Sequence, residues 1–171
     1  LAAAVAGLPD ADVTAVCDVD ESQLPSALRL VEQAQGFCPR PEHDFRRVLD
    51  DPAIHAVVIA TPDHWHAVMT ILACQARKDV YVEKPVTHSI AEGERMLAAA
   101  RKYQRVVQSG LQQRSGSHFQ SAIEQVRSGR LGQVNLARAW IVHRRKPIGF
   151  KKDAPVPEGV DYDLWLGPAP K

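Results

Sequence analysis

The sequence predicts an α/β fold in which a mostly parallel sheet carries helices on both faces. Two observations carry that expectation. Short β-rich runs alternate with runs of helical periodicity along the first two thirds of the chain, the pattern of βαβ units. The clearest strand, residues 54–60 (IHAVVIA), is nearly continuous in apolar residues, as a strand covered on both faces should be.

The elements follow in order. Residues 13–17 (VTAVC) read as the first strand, closed by Asp18, Asp20 and Glu21. Residues 22–35 place Leu24, Leu28 and Val31 on one helical face, and residues 45–49 form a short helix stopped by Asp50, Asp51 and Pro52. After strand 54–60, Thr61-Pro62 makes the turn into a helix over 64–77, with Ala67, Ile71 and Cys74 at helical spacing. Residues 79–82 (DVYV) form the next strand and end at Glu83-Lys84-Pro85. Ser89 and Glu92 stand at capping-box spacing and predict a helix to Tyr103. A strand over 105–109, a helix over 117–128 stopped by Gly129 and Gly132, and a longer strand over 134–142 complete the pattern. From Pro147 onward, prolines and short charged runs predict a surface loop. A break in composition near Gly110 divides the chain into 1–110 and 111–171.

Composition narrows the function classes. The 171 residues are 45% hydrophobic and 24% charged, which excludes disorder. Lys and Arg number 21 against 20 Asp and Glu, so a net charge of +1 gives no long-range field for nucleic acid or an anionic membrane. Arg138, Arg144, Arg145, Lys146, Lys151 and Lys152 form a local basic run, but a nucleic-acid site would add aromatic stacking or stronger charge. No apolar stretch approaches the roughly 20 residues of a membrane helix. Cys17, Cys38 and Cys74 are odd in number and lack CxxC spacing, which argues against disulfides and zinc and predicts buried free thiols.

The chemistry-bearing residues sit at strand ends. Asp18 follows a strand where a dinucleotide fold places an acid for the adenosine ribose hydroxyls. Thr61-Pro62-Asp63-His64-Trp65-His66 follows the most apolar strand, and open α/β sheets bind ligands at the carboxyl ends of their strands. His64 and His66, two residues apart, cannot share a helix face, so capping or packing suits them better than a metal. Glu83-Lys84-Pro85 brings a lysine to the same edge, where it could hydrogen-bond a ribose or a substrate hydroxyl.

Taken together, VVIATPDHWHA, VYVEKPVTHSIAEGERMLAAARKY, VVQSGLQQRS, GRLGQV and DYDLWLGPAP resemble the Gfo/Idh/MocA oxidoreductases, with Glu-Lys-Pro the most specific part. The resemblance implies an incomplete Rossmann-type doubly wound sheet over 1–110, followed by the start of an α+β substrate and oligomerisation domain over 111–171. It implies NAD as cofactor, with NADP less favoured because the Asp18 carboxylate would repel a 2′-phosphate. Thr61, Pro62 and His66 would line the dinucleotide cleft, and Glu83 would hold the loop. Lys84 would be the catalytic or cofactor-orienting lysine, with Pro85 beside it in a cis peptide bond as in many relatives. Gln112, Gln113 and Arg114 would enter the substrate domain near the site, Gln112 close to the cofactor. The substrate would be a carbohydrate or cyclitol, the full-length protein a homo-oligomer, and its compartment the cytoplasm, or the periplasm if an export signal lies upstream. No metal, nucleic acid or membrane is implied.

The family's GxGxxG loop is expected ahead of Leu1, and its large sheet domain after Lys171, so the chain reads as a middle section. Three functions follow. The parent protein is a sugar or polyol dehydrogenase, or it cleaves a glycosidic bond through transient oxidation of the sugar by NAD, or these 171 residues alone are non-catalytic.

Overall fold

The computed structural model describes residues 1–142 and 145–170. Arg144 of the basic run lies outside the described residues. The chain forms two compact units, Leu1–Gly110 with Val156–Lys171, and Leu111–Pro155.

In the first unit, helix α1 (Ala2–Ala6) packs on α2 (Leu24–Gln35), and strand β1 (Ala15–Cys17) pairs in parallel with β2 (Arg40–Glu42). The side-chain amide of Gln35 accepts from Val13 N and donates to Val13 O, at 3.0 and 2.9 Å, fastening the end of α2 to the approach to β1. Gly36 ends α2 in the left-handed conformation at φ 88°, the helix-terminating geometry that favours glycine. The sequence reading missed β2. Its three residues are Arg-Pro-Glu, and Pro41 lacks a ladder donor, so nothing local marks it as a strand.

Helix α3 (Phe45–Asp50) leads to a second, fully parallel sheet ordered β3 (Ala56–Ile59), β4 (Asp79–Glu83), β5 (Val107–Gly110). Helices α4 (Asp63–Gln75) and α5 (Ile90–Tyr103) connect these strands. Ile59, Val80 and Val82 form one core with Ala67, Ala73 and Cys74 of α4 and Met96 and Ala99 of α5. Burying one such valine contributes about 1.5–3 kcal/mol. Helices on both faces were expected, yet α4 and α5 share the single core that covers one face, and Val58 on the other is 42% exposed. The alternation along β3 is accordingly that of a strand covered on one side.

Ser89 caps α5 as its spacing predicts. Its hydroxyl accepts from Glu92 N, and the Glu92 carboxylate accepts from Ser89 N and His88 N. Ser89→Ala is expected to cost about 1 kcal/mol, read as a lowered midpoint in thermal unfolding.

The second unit holds a 3₁₀ turn (Gln112–Ser115) and helix α6 (Ser117–Arg127). The strand expected over 134–142 is not formed. Leu136, Trp140, Ile141 and Val142 there are 67–88% exposed. A β-rich run becomes a strand only against a partner, and the described part of this unit supplies none. Val156–Lys171, grouped with the second domain in the sequence, packs in the first unit through helix α7 (Tyr162–Leu166).

All three cysteines are free. Cys74 is buried, Cys17 half-buried and Cys38 exposed, so the expectation of burial fails at Cys38. Burial, reinforced by Asp18, pushes the Cys17 thiol up to about 12, and burial also raises Cys74. Neither supplies a thiolate near neutrality.

Candidate cofactor site

Parallel pairing sends the ends of β3, β4 and β5 to one edge of their sheet. Thr61-Pro62 follows β3, Lys84-Pro85 follows β4, and Gly110 closes β5. A direct link joins the first two. His66, 1% exposed in the first turns of α4, sets Nε2 at 2.9 Å from Thr61 O and Nδ1 at 2.6 Å from Pro85 O.

Glu83 accepts from Lys84 N through its own side chain at 3.0 Å, which fixes the backbone where the lysine leaves the strand. The Lys84-Pro85 bond is cis. Lys84 and Pro85 are exposed. Gly110 lies opposite Glu83 in the ladder, and a Cβ there would stand 3.0 Å from the Glu83 carboxyl carbon and 3.1 Å from its Cα. The missing side chain lets Glu83 sit close against the end of β5, a role the sequence reading did not assign.

Asp18 ends the other sheet. Asp18 N donates to Glu42 O, continuing the ladder, and the Asp18 carboxylate accepts from Asp20 N at 3.0 Å. The hydroxyl and amide of Ser22 hold the Asp20 carboxyl below its ordinary range, so this turn is fixed by its own side chains.

The C-terminal segment bridges this turn to the β3 edge. Asp20 pairs with Val160, and Asp161 N donates to Val19 O. Immediately beyond, His64 Nε2 donates to Trp165 O at 2.9 Å, and Trp65 Nε1 donates to Leu164 O and Trp165 O at 3.0 and 3.1 Å. Phe45, first residue of α3, meets the Trp65 ring edge-on at 5.3 Å between centroids. The turn after β1, the start of α3 and the start of α4 are therefore tied together. His64 thus has a backbone partner. Among the described residues no group of three or more His, Cys, Asp or Glu could hold a metal, and no helix is long and apolar enough to cross a membrane.

Asp18, Thr61, Pro62, His66, Glu83, Lys84 and Pro85 thus lie in or beside connected strand-end turns of one unit. Gln112, Gln113 and Arg114 stand in the 3₁₀ turn of the other unit. One feature here fits a nucleotide cofactor: Thr61 Oγ1 is buried and has no hydrogen-bond partner among the described residues. A buried hydroxyl without a partner is costly unless something else satisfies it.

This is an α/β nucleotide-site architecture, with its polar groups at the carboxyl ends of parallel strands. Residues 1–111 match the family described as an oxidoreductase family with an NAD-binding Rossmann fold, GFO_IDH_MocA. The chain belongs to the Gfo/Idh/MocA oxidoreductase family. It is 33% identical over 113 residues to levoglucosan dehydrogenase of Pseudarthrobacter phenanthrenivorans, covering 63% of this chain and 29% of that protein. Against myo-inositol 2-dehydrogenase of Thermotoga maritima, identity is 26% over 131 residues, covering 77% of this chain and 38% of the relative. The crystal structure of the WlbA dehydrogenase from Bordetella pertussis, in complex with NADH and UDP-GlcNAcA, superposes with a TM-score of 0.63 at 29% identity, covering 76% of this chain and 36% of that one. The chain spans between about a quarter and two fifths of the length of such relatives.

Proposed function

We propose that this chain is the cofactor-holding portion of an oxidoreductase that moves a hydride between NAD and a ring carbon of a sugar or cyclitol. The observation that supports it most is the joining of the Thr61 turn and the lysine-bearing turn at one sheet edge through His66. Asp18 would take the adenosine ribose hydroxyls, and its charge would disfavour the 2′-phosphate of NADP. Thr61 would offer its buried hydroxyl to the cofactor, and Pro62 would form the wall beside it. Glu83 and Pro85 would fix the backbone on either side of Lys84, whose Nζ would hold or accept the proton of the substrate hydroxyl. Gln112 would also contact the cofactor. NAD, when bound, supplies the hydride acceptor, and the protein supplies orientation. The relatives named for levoglucosan and myo-inositol support a carbohydrate or cyclitol substrate.

The test is a full-length protein carrying this sequence, incubated with NAD and a panel of cyclitols and sugars. Accumulating NADH is the expected result. Glycoside cleavage without net NADH would replace it with the transient-oxidation reading, and no reaction across the panel would overturn both. These 171 residues by themselves contain no GxGxxG run to cradle a pyrophosphate. Calorimetric titration of the chain alone with NAD is therefore expected to show no micromolar binding. A micromolar dissociation constant would mean that Asp18, Thr61 and Lys84 suffice without that loop.

A further inference from the structure

Strands β1 and β2 form one sheet and β3, β4 and β5 another, and among the described residues no ladder joins the two. The Asp18 turn ends the first sheet and the Thr61 turn ends the second, so backbone pairing alone does not set the spacing between them. The segment from Gly159 to Trp165 spans that gap. At one end it lies against the turn after β1. Asp161 N donates to Val19 O and Glu21 N donates to Gly159 O, both at 2.9 Å, on either side of the Asp20–Val160 bridge. At the other end, Leu164 O and Trp165 O accept from the Trp65 indole, and Trp165 O also accepts from His64. Between these ends runs α7, five residues and about 7.5 Å long, started by the Asp161 carboxylate, which accepts from Leu164 N. A helix keeps its length where an irregular segment can stretch. Helix α3 also reaches across, through the Phe45–Trp65 ring contact, but an apolar contact is less directional than a hydrogen bond.

We propose that this segment is a strap that holds the Asp18 turn at a set distance from the start of α4, with Asp161 and Trp65 as its positioning residues. The strap itself stands on the hydrogen bonds at its two ends. Its bearing on cofactor choice rests on the proposed function, in which Asp18 takes the adenosine ribose hydroxyls. A carboxylate favours NAD over NADP only while it is held within reach of the ribose. Both its hydrogen bond to the 2′-hydroxyl and its repulsion of a 2′-phosphate weaken as it moves away. Asp18 is already fixed within its own turn, where its carboxylate accepts from Asp20 N. The turn therefore moves as one piece, and the strap sets where that piece stands. Asp161 and Trp65 act on cofactor choice through Asp18.

The experiment compares Asp161→Pro with Asp161→Ala in the full-length protein. Both remove the carboxylate that caps α7, but only proline also removes the N–H that bonds Val19 O, and the φ of −78° at this position suits it. Calorimetric titration with NAD and with NADP reads the affinities. Relative to Asp161→Ala, Asp161→Pro should weaken NAD by about three- to tenfold, the worth of one backbone hydrogen bond, and leave NADP within about twofold. The preference for NAD narrows, while turnover at saturating NAD stays the same. Equal losses for the two dinucleotides, a fall in turnover, or no difference between the two variants overturns the role in cofactor choice. Hydrogen exchange without cofactor tests the strap itself. The Glu21 amide should exchange about three- to tenfold faster in Asp161→Pro, with Val80 and Val82 unaffected. An unchanged Glu21, or acceleration through both sheets alike, overturns the strap. If Asp161→Pro does not fold, Trp65→Phe, which loses the indole donor and keeps a ring beside Phe45, is read against the unaltered protein with the same expectations. Failure of the full-length protein to bind either dinucleotide would sink the proposed function, and the exchange result would still decide the strap. NADH formation with an unchanged Glu21 would sink the strap alone.

Discussion

Lys84→Ala in the full-length protein is expected to lower turnover by about 10²- to 10⁴-fold, the span typical of a lost proton-transfer group. Affinity for NAD should change by less than about tenfold, since the residues proposed to grip the cofactor, Asp18 and Thr61, remain. The contrast follows from position. Lys84 is exposed, whereas its backbone is fixed independently by the Glu83 carboxylate and the His66 ring. Removing the ammonium therefore leaves the turn in place. Lys84→Arg should not restore the rate, because a guanidinium keeps its charge and does not give up a proton near neutrality. NADH formation in the steady state gives the first quantity and calorimetric titration the second. Turnover within a few-fold of the unaltered protein would remove Lys84 from the chemistry.

Gly167→Ala is expected to be the most damaging small substitution in the first unit. Gly167 adopts φ 49° and ψ −120°, a region that residues with a Cβ rarely enter. A Cβ there would fall 2.1 Å from Cζ2 and 2.3 Å from Cε2 of Trp65. The indole cannot step aside freely, since it donates to Leu164 O and Trp165 O and packs against Phe45. Backbone strain of about 1–3 kcal/mol adds to a steric cost of similar size. The expected outcome is release of α7 from the start of α4, visible as a changed tryptophan emission, a lower melting temperature and faster proteolysis ahead of Val156. Gly7→Ala is the control: its nearest neighbour would be a backbone oxygen at 3.6 Å, and stability should hold within about 0.5 kcal/mol. If both variants melt alike, the tail is not docked through Trp65.

Residues 56–59, 79–83 and 90–103 were legible in the sequence because each is specified locally, by β-branched runs or by the reciprocal Ser89–Glu92 cap. Much of the candidate site was legible for the same reason. A parallel sheet places successive strand ends together, so Thr61 and Lys84 could be grouped before any coordinates. What stayed hidden is set by distant partners. Trp65 and Trp165 are 100 residues apart, and nothing near either announces their contact. Strand β2 exists because β1 runs beside it, and residues 134–142 have the composition of a strand without a described neighbour to pair with. His66 could be assigned to capping or packing from its spacing, but its two carbonyl partners come from the turns that follow β3 and β4, which only the fold brings together.

The unequal exposure of the three thiols makes the chain selectively addressable. Cys74 is enclosed, and Cys17 holds its proton far above neutrality, leaving Cys38 as the accessible sulfur just past the end of α2. A maleimide dye should therefore attach once per folded molecule and add two further labels only on denaturation. That stoichiometry would serve as a chemical gauge of folding, and the single dye would give a fluorescent reporter on the Asp18 side of the fold without any mutation.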